Sequence, residues 1–320
     1  MANLSIYVHV PFCERKCPYC DFHSDIVNCP LSLVNFVKDI CGEIRKSKIT
    51  NYNITSIYFG GGTPSLLSGE QVAQIVGTIR KKFSVSSDAE ITIECNPNSL
   101  NECKLKAYRT CGINRISIGV QSFSNRALKI LGRTHNVRQA TVAIERAAKY
   151  FDNVSIDLMH SIPGARVKIP HKYLRMVQHV SAYCLTSEKF QSPSEEKSIR
   201  EQSRIERILA KHGIKKYEVS NFARAGYECR HNMNYWTCGE WIGFGDGAQS
   251  HLNESWDTQD RVMLGLRLVQ GVPCELLANK MPQIKELVAE GLLQNDTKTI
   301  SCTERGFLLL NYVLLKIFMS

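Results

Sequence analysis

The sequence predicts an α/β fold: a partial or full (β/α) barrel of about six strands, followed by a small, mostly helical C-terminal domain. Its length of 320 residues suits one large domain with a small appendage. Short β-rich segments alternate with amphipathic segments of helical period as far as about residue 219, and this alternation is typical of βα units around a parallel sheet. From about residue 260 the pattern becomes mostly helical.

The elements follow one another in the order that a βα series requires. The predicted strands cover residues 4–10, 53–59, 89–95, 115–120, 153–158 and 180–185, with a seventh at 215–219. The predicted helices cover residues 32–46, 71–83, 100–110, 126–131, 137–150 and 195–212. In the first of them, Leu33, Val37, Ile40 and Ile44 recur at helical spacing on one face. We expect the barrel and a family-specific extension (approximately 190–253) within residues 1–253, and the small helical domain at 254–320.

The composition narrows the class of protein. Hydrophobic residues make up 43% and charged residues 22%, which argues against a disordered chain. No secretory signal is visible at the start, and the apolar stretch 307–318 is broken by Asn311 and Lys316 and is shorter than the ~20 residues of a spanning helix. We expect a cytoplasmic protein. The net charge of +10 fits an anionic partner: nucleic acid, a phosphate, an acidic pigment or an acidic redox donor.

Three of the 13 cysteines form a motif. The odd number and the lack of an export signal argue against a disulfide framework. Cys13, Cys17 and Cys20 have the spacing C-x₃-C-x₂-C directly after the first predicted strand. Such a loop would hold an iron–sulfur cluster with one iron left open, since these clusters normally take four cysteines. A zinc site with a fourth ligand from His9, His23 or Cys29, or unligated thiols, would satisfy the same spacing.

A second motif ends the second predicted strand, where three glycines precede Thr63 and Pro64. Glycine allows a ligand to approach the backbone closely, and it also serves in plain tight turns. By itself this motif leaves both interpretations open.

Together the motifs carry a family resemblance from Ile6 to the C-terminus. They are Tyr-Val-His-Val-Pro-Phe-Cys at 7–13, the cysteine triad, Gly-Gly-Gly-Thr-Pro-Ser at 60–65, Gly-Val-Gln-Ser-Phe at 119–123, Gly-Arg-Thr-His at 132–135 and Cys-Arg-His-Asn-Met-Asn-Tyr-Trp at 229–236. The chain resembles a radical S-adenosylmethionine (SAM) enzyme. More narrowly, it is similar to the oxygen-independent coproporphyrinogen III oxidase (dehydrogenase) group and its heme-chaperone branch.

The resemblance implies cofactors and their sites. It assigns Cys13, Cys17 and Cys20 to a [4Fe–4S] cluster whose open iron takes the amino and carboxylate groups of SAM. The positions that match SAM contacts are Tyr7, Tyr19, Gly61, Gly62, Thr63, Glu94, Gln121, Arg133 and Asp157. In the family, an electron from the cluster cleaves SAM to methionine and a 5′-deoxyadenosyl radical, so a flavodoxin-like or ferredoxin-like donor is implied. One or two bound SAM molecules fit the motifs equally well.

Two features separate the heme-chaperone branch from the dehydrogenases. The dehydrogenases have a fourth cysteine two residues after the third, where this chain has Phe22, and the chaperone branch carries H-N-x-x-Y-W. The motif residues that the resemblance assigns to heme are His231, Asn232, Tyr235 and Trp236. Tyr235 and Trp236 would wall a slot, with His231 or Cys229 as iron ligand and Arg224 and Arg230 near the propionates. Alternatively, His231 and Asn232 pack this loop against the barrel through hydrogen bonds.

The chain also departs from the family pattern. The usual Gly-Leu-Pro-Gly after the fifth strand is replaced by residues 161–164, which begin with Ser161, and the stretches 163–183 and 251–263 are shorter than usual. Three functions remain in competition: a heme carrier that transfers heme to an unidentified acceptor protein, a coproporphyrinogen dehydrogenase, and a zinc-binding structural protein. None of the three involves nucleic acid.

Overall fold

The computed structural model describes residues 1–27, 29–187, 189–190 and 193–319; positions 28, 188, 191, 192 and 320 of the predicted domains lie outside them. The strands are β1 (Ala2–Val10), β2 (Phe12–Cys13), β3 (Asp25–Ile26), β4 (Tyr52–Gly61), β5 (Ser84–Cys95), β6 (Arg115–Gln121), β7 (Asn153–His160), β8 (His179–Cys184), β9 (Lys215–Lys216), β10 (Asn221–Ala223), β11 (Trp241–Phe244), β12 (Val272–Pro273), β13 (Leu293–Asn295) and β14 (Thr299–Cys302). The helices are α1 (Pro30–Lys46), α2 (Gly69–Lys82), α3 (Glu102–Cys111), α4 (Asn125–Ile130), α5 (Val137–Tyr150), α6 (His171–Leu174), α7 (Glu195–Ala210), α8 (Arg230–Trp236), α9 (Thr258–Gly265), α10 (Met281–Ala289), α11 (Glu304–Leu308) and α12 (Leu310–Phe318).

The main sheet has the order β11-β1-β4-β5-β6-β7-β8-β10-β9. From β11 to β8 every neighbouring pair is parallel, whereas β10 and β9 join in antiparallel fashion. Six of the parallel strands, β1 and β4 to β8, follow chain order and coincide with the predicted strands. Because β11 and β9 are its two edges in the described part of the chain, the sheet is a partial barrel, and the predicted fold class is confirmed.

The predicted seventh strand at 215–219 is wrong in extent. Only Lys215–Lys216 pairs in the sheet. The backbone then turns toward the C-terminal region, where the amide of Val219 donates to the carbonyl of Arg267 at 3.0 Å and Glu218 forms a bridge with Leu268. These contacts remove the segment from the sheet edge.

Each parallel strand has one apolar and one polar face. On β5, Ile91 and Ile93 belong to the apolar core, whereas Glu90, Thr92 and Glu94 occupy the alternate positions. The aliphatic face packs under the helices, and the other face gives the barrel interior an unusual number of hydroxyl, carboxylate and imidazole groups. Register aligns these groups in layers: Glu94 lies beside Ser117, and Asp157 beside Ser181.

The loop after β7 explains one departure from the family pattern. Ser161 has φ of 62°, the left-handed region that favours glycine, so the serine carries backbone strain on the order of 1 kcal/mol. Its hydroxyl is hydrogen-bonded to His160 Nδ1 at 3.0 Å and its amide to Glu201 at 2.5 Å. The following crossover contains only the four-residue α6, in agreement with the predicted shortening.

A second apolar cluster forms the C-terminal region. All its buried members lie between Val262 and Ile317, apart from the main core. The region is mostly helical as predicted, but it also contains the antiparallel sheet β12-β14-β13, whose strands of two to four residues are too short to give a sequence period. On this clustering we propose a domain boundary near residue 254. In the described part of the chain, no helix has the length and apolar character to span a membrane.

Candidate functional site

A cavity of about 350 Å³ lies at the carboxyl ends of the parallel strands. All three motif cysteines line it, together with eight of the nine residues implied for SAM: Tyr19, Gly61, Gly62, Thr63, Glu94, Gln121, Arg133 and Asp157. Tyr7 is not in the lining; it pairs with Tyr58 on the neighbouring strand, and the two stacked rings have their centroids 6.2 Å apart. The carboxyl ends of strands in such barrels hold the ligands, and this cavity has that position.

The cysteine loop covers one side of the cavity. Cys13 lies on β2, which pairs with β3 across the loop, and the amide of Cys20 donates to the carbonyl of Cys17 at 3.1 Å. Thr63 Oγ1 lies 3.5 Å from the sulfur of Cys13, which connects the loop to the glycine turn. All three thiols are free of disulfides.

The donor set fits a cluster better than a single ion. Four cysteines line the cavity, and the fourth, Cys95, directs its thiol to the carbonyl of Ile93 at 3.7 Å. The three thiols of the motif loop therefore match a cluster with an open corner. A zinc ion draws its sulfur ligands to ~2.3 Å. Among residues 1–27, 29–187, 189–190 and 193–319, no group of three or more His, Cys, Asp or Glu side chains is close enough to hold one metal ion.

The glycine turn needs its glycines. Gly61 has φ of 110°, and a Cβ there would lie 2.7 Å from the ring of His9. A Cβ on Gly62 would lie 2.6 Å from the carbonyl oxygen of Phe12, a backbone atom that leads into the cysteine loop. The turn therefore packs against the cysteine loop without any side chain between them.

Two partly buried carboxylates form the floor of the cavity. Glu94 accepts a hydrogen bond of 2.7 Å from the phenol of Tyr58, and Asp157 accepts one of 3.1 Å from Ser117. Burial raises the pKa of Glu94 to about 7, and it also raises the pKa of Asp157. Such carboxylates suit a cationic or hydroxyl-bearing ligand, because a positive charge would compensate for their loss of hydration.

Arg133 connects three walls of the cavity. Its Nη1 donates toward Cys17 Sγ at 3.5 Å and the Tyr19 hydroxyl at 3.4 Å, while Nη2 donates to Asn96 Oδ1 at 2.5 Å and to the Gly119 carbonyl at 3.1 Å. The guanidinium thus holds the cysteine loop against the ends of β5 and β6.

Gln121 ends β6 with φ of 60°, in the left-handed region. A non-glycine residue there costs about 1–3 kcal/mol, and strain of this kind is common where a side chain must point at a ligand. Its amide nitrogen would lie 3.1 Å from a Cβ at Gly119, so Gly119 leaves room for it.

Sequence reasoning missed Arg115. This side chain is 2% exposed, lines the floor of the cavity, and keeps a buried Nε with no hydrogen-bond partner among the described residues. Its charge acts to lower the pKa of both Glu94 and Asp157. The signal in the sequence was the period of β6, where Arg115, Ser117, Gly119 and Gln121 share one face between isoleucines.

The H-N-x-x-Y-W residues do not form an open slot in this conformation. His231 is 1% exposed, with Nδ1 hydrogen-bonded to Ser56 Oγ and Nε2 to the Tyr235 hydroxyl, both at 2.8 Å. Neither nitrogen is available to iron. Asn232 is the member of this motif that lines the cavity. The packing alternative from the sequence is the one that fits His231.

The other groups considered for heme are also engaged. Cys229 is fully buried, 3.4 Å from a carboxylate oxygen of Glu90. Arg224 donates to backbone carbonyls, including that of His212 at 2.6 Å, and Arg230 forms an ion pair with Asp88 at 3.1 Å. Trp236 lies under Arg267, with the guanidinium 4.2 Å from the ring centroid. These groups therefore have protein partners in this structure, and their role toward heme stays a prediction.

Comparison with known families agrees with this architecture. The radical SAM superfamily matches residues 7–169, and the HemN C-terminal domain matches residues 259–309. The chain belongs to the radical SAM superfamily.

Curated relatives narrow the assignment. Proteins called "Heme chaperone HemW" from Lactococcus lactis and Escherichia coli are each 32% identical, over 99% of this chain and 97% and 98% of their own lengths. The Bos taurus "Radical S-adenosyl methionine domain-containing protein 1, mitochondrial" is 30% identical, over 98% of this chain and 87% of its own. Within the superfamily this chain is HemN-like and falls in the HemW branch.

The solved structure described as "Coproporphyrinogen III oxidase (HemN) from Escherichia coli is a Radical SAM enzyme" shares the fold. The TM-score is 0.83 at 18% identity, over 99% of this chain and 90% of that one. The alignment with the Lactococcus lactis relative runs over 372 positions, although this chain has 320 residues. This chain therefore lacks segments that the relative has, as the shortened stretches predicted.

Proposed function

We propose that this protein binds heme and transfers it to an acceptor protein while retaining a [4Fe–4S] cluster and SAM. The observation that carries the proposal is Phe22. It takes the place of the dehydrogenases' fourth cysteine, lines the cavity and is 64% exposed. A site built for porphyrinogen chemistry would offer a thiol there, whereas an exposed ring offers an apolar contact. The names of the curated relatives support the same function.

The cofactors would occupy the cavity described above. Cys13, Cys17 and Cys20 would hold the cluster, and the eight lining residues implied for SAM would surround that ligand. When bound, the pair supplies one-electron cleavage of SAM. The protein's own residues hold the loop (Arg133), keep the turn open (Gly61 and Gly62) and provide anionic groups (Glu94 and Asp157).

The volume of the cavity bears on where heme would bind. At about 350 Å³ it is at the lower end of the ~300–1,000 Å³ typical of ligand pockets. This volume suits a nucleoside-sized ligand, with no space for a porphyrin disc as well. A heme would therefore bind outside the cavity, against the exposed part of the Phe22 ring. Its acceptor protein and the flavodoxin-like or ferredoxin-like electron donor remain predictions, as does the cytoplasmic location.

Porphyrinogen oxidation is the second candidate, since the fold is shared with a coproporphyrinogen oxidase at a TM-score of 0.83. The test is an anaerobic comparison on cluster-loaded protein. Titration with heme is expected to saturate at one heme per chain, with a shifted Soret band. Incubation with SAM, a reductant and coproporphyrinogen III is expected to give no vinyl porphyrin.

The two readouts separate the candidates. Formation of vinyl product at a catalytic rate would overturn the chaperone proposal. Absence of stoichiometric heme binding would overturn it as well. Phe22→Ala is expected to weaken heme binding. Leu315→Ala is its control for nonspecific heme adsorption, because Leu315 is exposed as Phe22 is but belongs to the C-terminal region.

A further inference from the structure

His231 contacts the wall of the cavity without lining it. Its ring stacks on that of Tyr58, with centroids 5.0 Å apart and planes at 25°. Tyr58 lines the cavity, and its hydroxyl donates to Glu94 at 2.7 Å. A continuous series of contacts thus runs from the H-N-x-x-Y-W motif to a carboxylate implied for SAM.

The imidazole of His231 is hydrogen-bonded at both ring nitrogens. The hydroxyl of Ser56 donates to Ser5 at 2.8 Å, so His231 Nδ1 carries the proton that Ser56 Oγ accepts, and Nε2 accepts from Tyr235. The main-chain amide of His231 also donates to Glu90 at 3.3 Å. Burial lowers its pKa to about 3, so the ring stays neutral in this arrangement.

We propose that His231 is a positioning residue for the SAM site, acting through Tyr58 on Glu94. The stacked imidazole holds the Tyr58 ring on the barrel wall, where its hydroxyl keeps the Glu94 carboxylate directed into the cavity. The role of the histidine in H-N-x-x-Y-W is then to shape the nucleoside cavity, and iron ligation is not part of it. This inference rests on the proposed SAM site.

The fold contains a matched control. His179 is also fully buried in the barrel interior, with Nδ1 bonded to Ser155 Oγ at 2.8 Å and Nε2 to the Tyr217 hydroxyl at 2.8 Å. The two serine–histidine–tyrosine sets have the same hydrogen bonds. Of the two histidines, only His231 stacks on a tyrosine that contacts Glu94 in the described part of the structure. If both histidines only stabilised the fold, replacing either one with alanine would change SAM affinity to the same extent.

The experiment measures SAM affinity by calorimetry on anaerobic, cluster-loaded, full-length protein without reductant. His231→Ala is expected to weaken SAM binding by about tenfold, the equivalent of one lost hydrogen bond to a charged group. His179→Ala is expected to change it by less than about twofold. Heme stoichiometry is expected to stay at one per chain in both variants.

A double-mutant cycle tests the route. Tyr58→Phe removes the hydroxyl that Glu94 accepts and is expected to cost about as much affinity as His231→Ala. The double variant is expected to lose no more than the weaker-binding single variant, because both changes act on the same carboxylate. If the two single changes weakened SAM binding independently, so that their fold-losses multiplied in the double variant, the proposal would be overturned. An equal loss of SAM affinity in His179→Ala would overturn it as well, and so would the loss of heme binding in His231→Ala.

Tyr235→Phe provides the same test with a smaller perturbation if His231→Ala does not fold. It removes the hydroxyl bonded to Nε2 and is expected to weaken SAM binding about threefold, with little change in melting temperature. An unchanged affinity would overturn the positioning role. If the wild-type protein itself bound no SAM, the proposed function would fail; wild-type binding with unaffected variants would overturn this inference alone.

Discussion

The phenol of Tyr58 on β4 donates a hydrogen bond of 2.7 Å to the carboxylate of Glu94 on the neighbouring strand β5, at the floor of the cavity. Burial raises the pKa of Glu94 to about 7, against an ordinary value of 4.5. The hydrogen bond acts in the opposite direction, since it stabilises the anion. The group therefore changes its charge close to neutral pH.

The affinity for SAM is expected to rise with pH through about 7. The anionic form of Glu94 attracts a cationic ligand, and the fraction in that form increases about tenfold per pH unit below the pKa. Calorimetric titrations at pH 6 and pH 8 are expected to differ by about fivefold to tenfold. Glu94→Gln should bind SAM weakly at both pH 6 and pH 8, without the rise in affinity between them. A rise as large as that of the wild type would rule out Glu94 as its origin.

The stability of the ligand-free protein is expected to change in the opposite direction. Because the folded-state pKa of Glu94 lies above the unfolded value, the folded state binds the proton more tightly between about pH 4.5 and 7. Stability from this group is complete below pH 4.5 and is lost as pH rises through 7, by up to about 3 kcal/mol. Urea unfolding of the wild type and of Glu94→Gln across this pH range measures the difference between their free energies of unfolding. This difference should vanish at low pH.

Gly62→Ala is expected to damage the cavity, because the new Cβ would lie 2.6 Å from the Phe12 carbonyl oxygen and 2.9 Å from its amide nitrogen. The backbone of the cysteine loop would have to move. We expect a loss of about 1–3 kcal/mol of stability and reduced cluster loading. Gly77→Ala is the control: no heavy atom lies within 4 Å of its new Cβ, and it sits inside α2, so stability should rise by about 0.5–1 kcal/mol. Similar behaviour of both variants would contradict the steric argument.

Arg133→Lys is expected to loosen the cysteine loop. A lysine ammonium cannot reproduce the two-pronged contact with Cys17 and Tyr19 on one side and Asn96 and Gly119 on the other. In cluster-free protein the thiols should react several-fold faster with a disulfide reagent. The exposed Arg138→Lys serves as control, and equal rates in all three proteins would count against the anchoring role.

Arg115→Met is expected to destabilise the fold by about 3–5 kcal/mol above neutral pH, since it leaves the buried carboxylate of Glu90 and the partly buried carboxylates of Glu94 and Asp157 without their cation. The loss should shrink at low pH, where the carboxylates take up protons. Combining it with Glu94→Gln should restore part of the stability. Additive losses in the double variant, measured by urea unfolding, would show that Arg115 and Glu94 are not coupled.

Much of the fold could be predicted because the strands carry strong signals. Isoleucine and valine alternate with polar residues along β5, β6 and β7, and helices with clear periods separate them. Glu94, Gln121 and Asp157 on these strands then fall at one end of a parallel sheet and line one cavity. Tyr7 on β1 pairs with Tyr58 on β4 and does not line the cavity, so its contact with SAM stays a prediction.

What the sequence left open depends on long-range contacts. The sequence allows His231 as an iron ligand or as a packing residue, and its hydrogen bonds to Ser56 and Tyr235 favour packing. Segment 215–219 has the composition of a strand, but contacts with residues 267 and 268 take it away from the sheet. Ser56 lies 175 residues from His231, and residues 267 and 268 are also distant in the chain from 218 and 219, so these contacts leave no local signal.

The most direct test of the account is the iron and sulfide content after anaerobic reconstitution. Cys13, Cys17 and Cys20 line the cavity together, so wild-type protein should carry about four irons per chain. Cys17→Ala should lose the brown chromophore, while Cys103→Ala, at an exposed cysteine on α3, should keep it. Stoichiometric zinc without iron in the wild type, or an intact cluster in Cys17→Ala, would contradict the account.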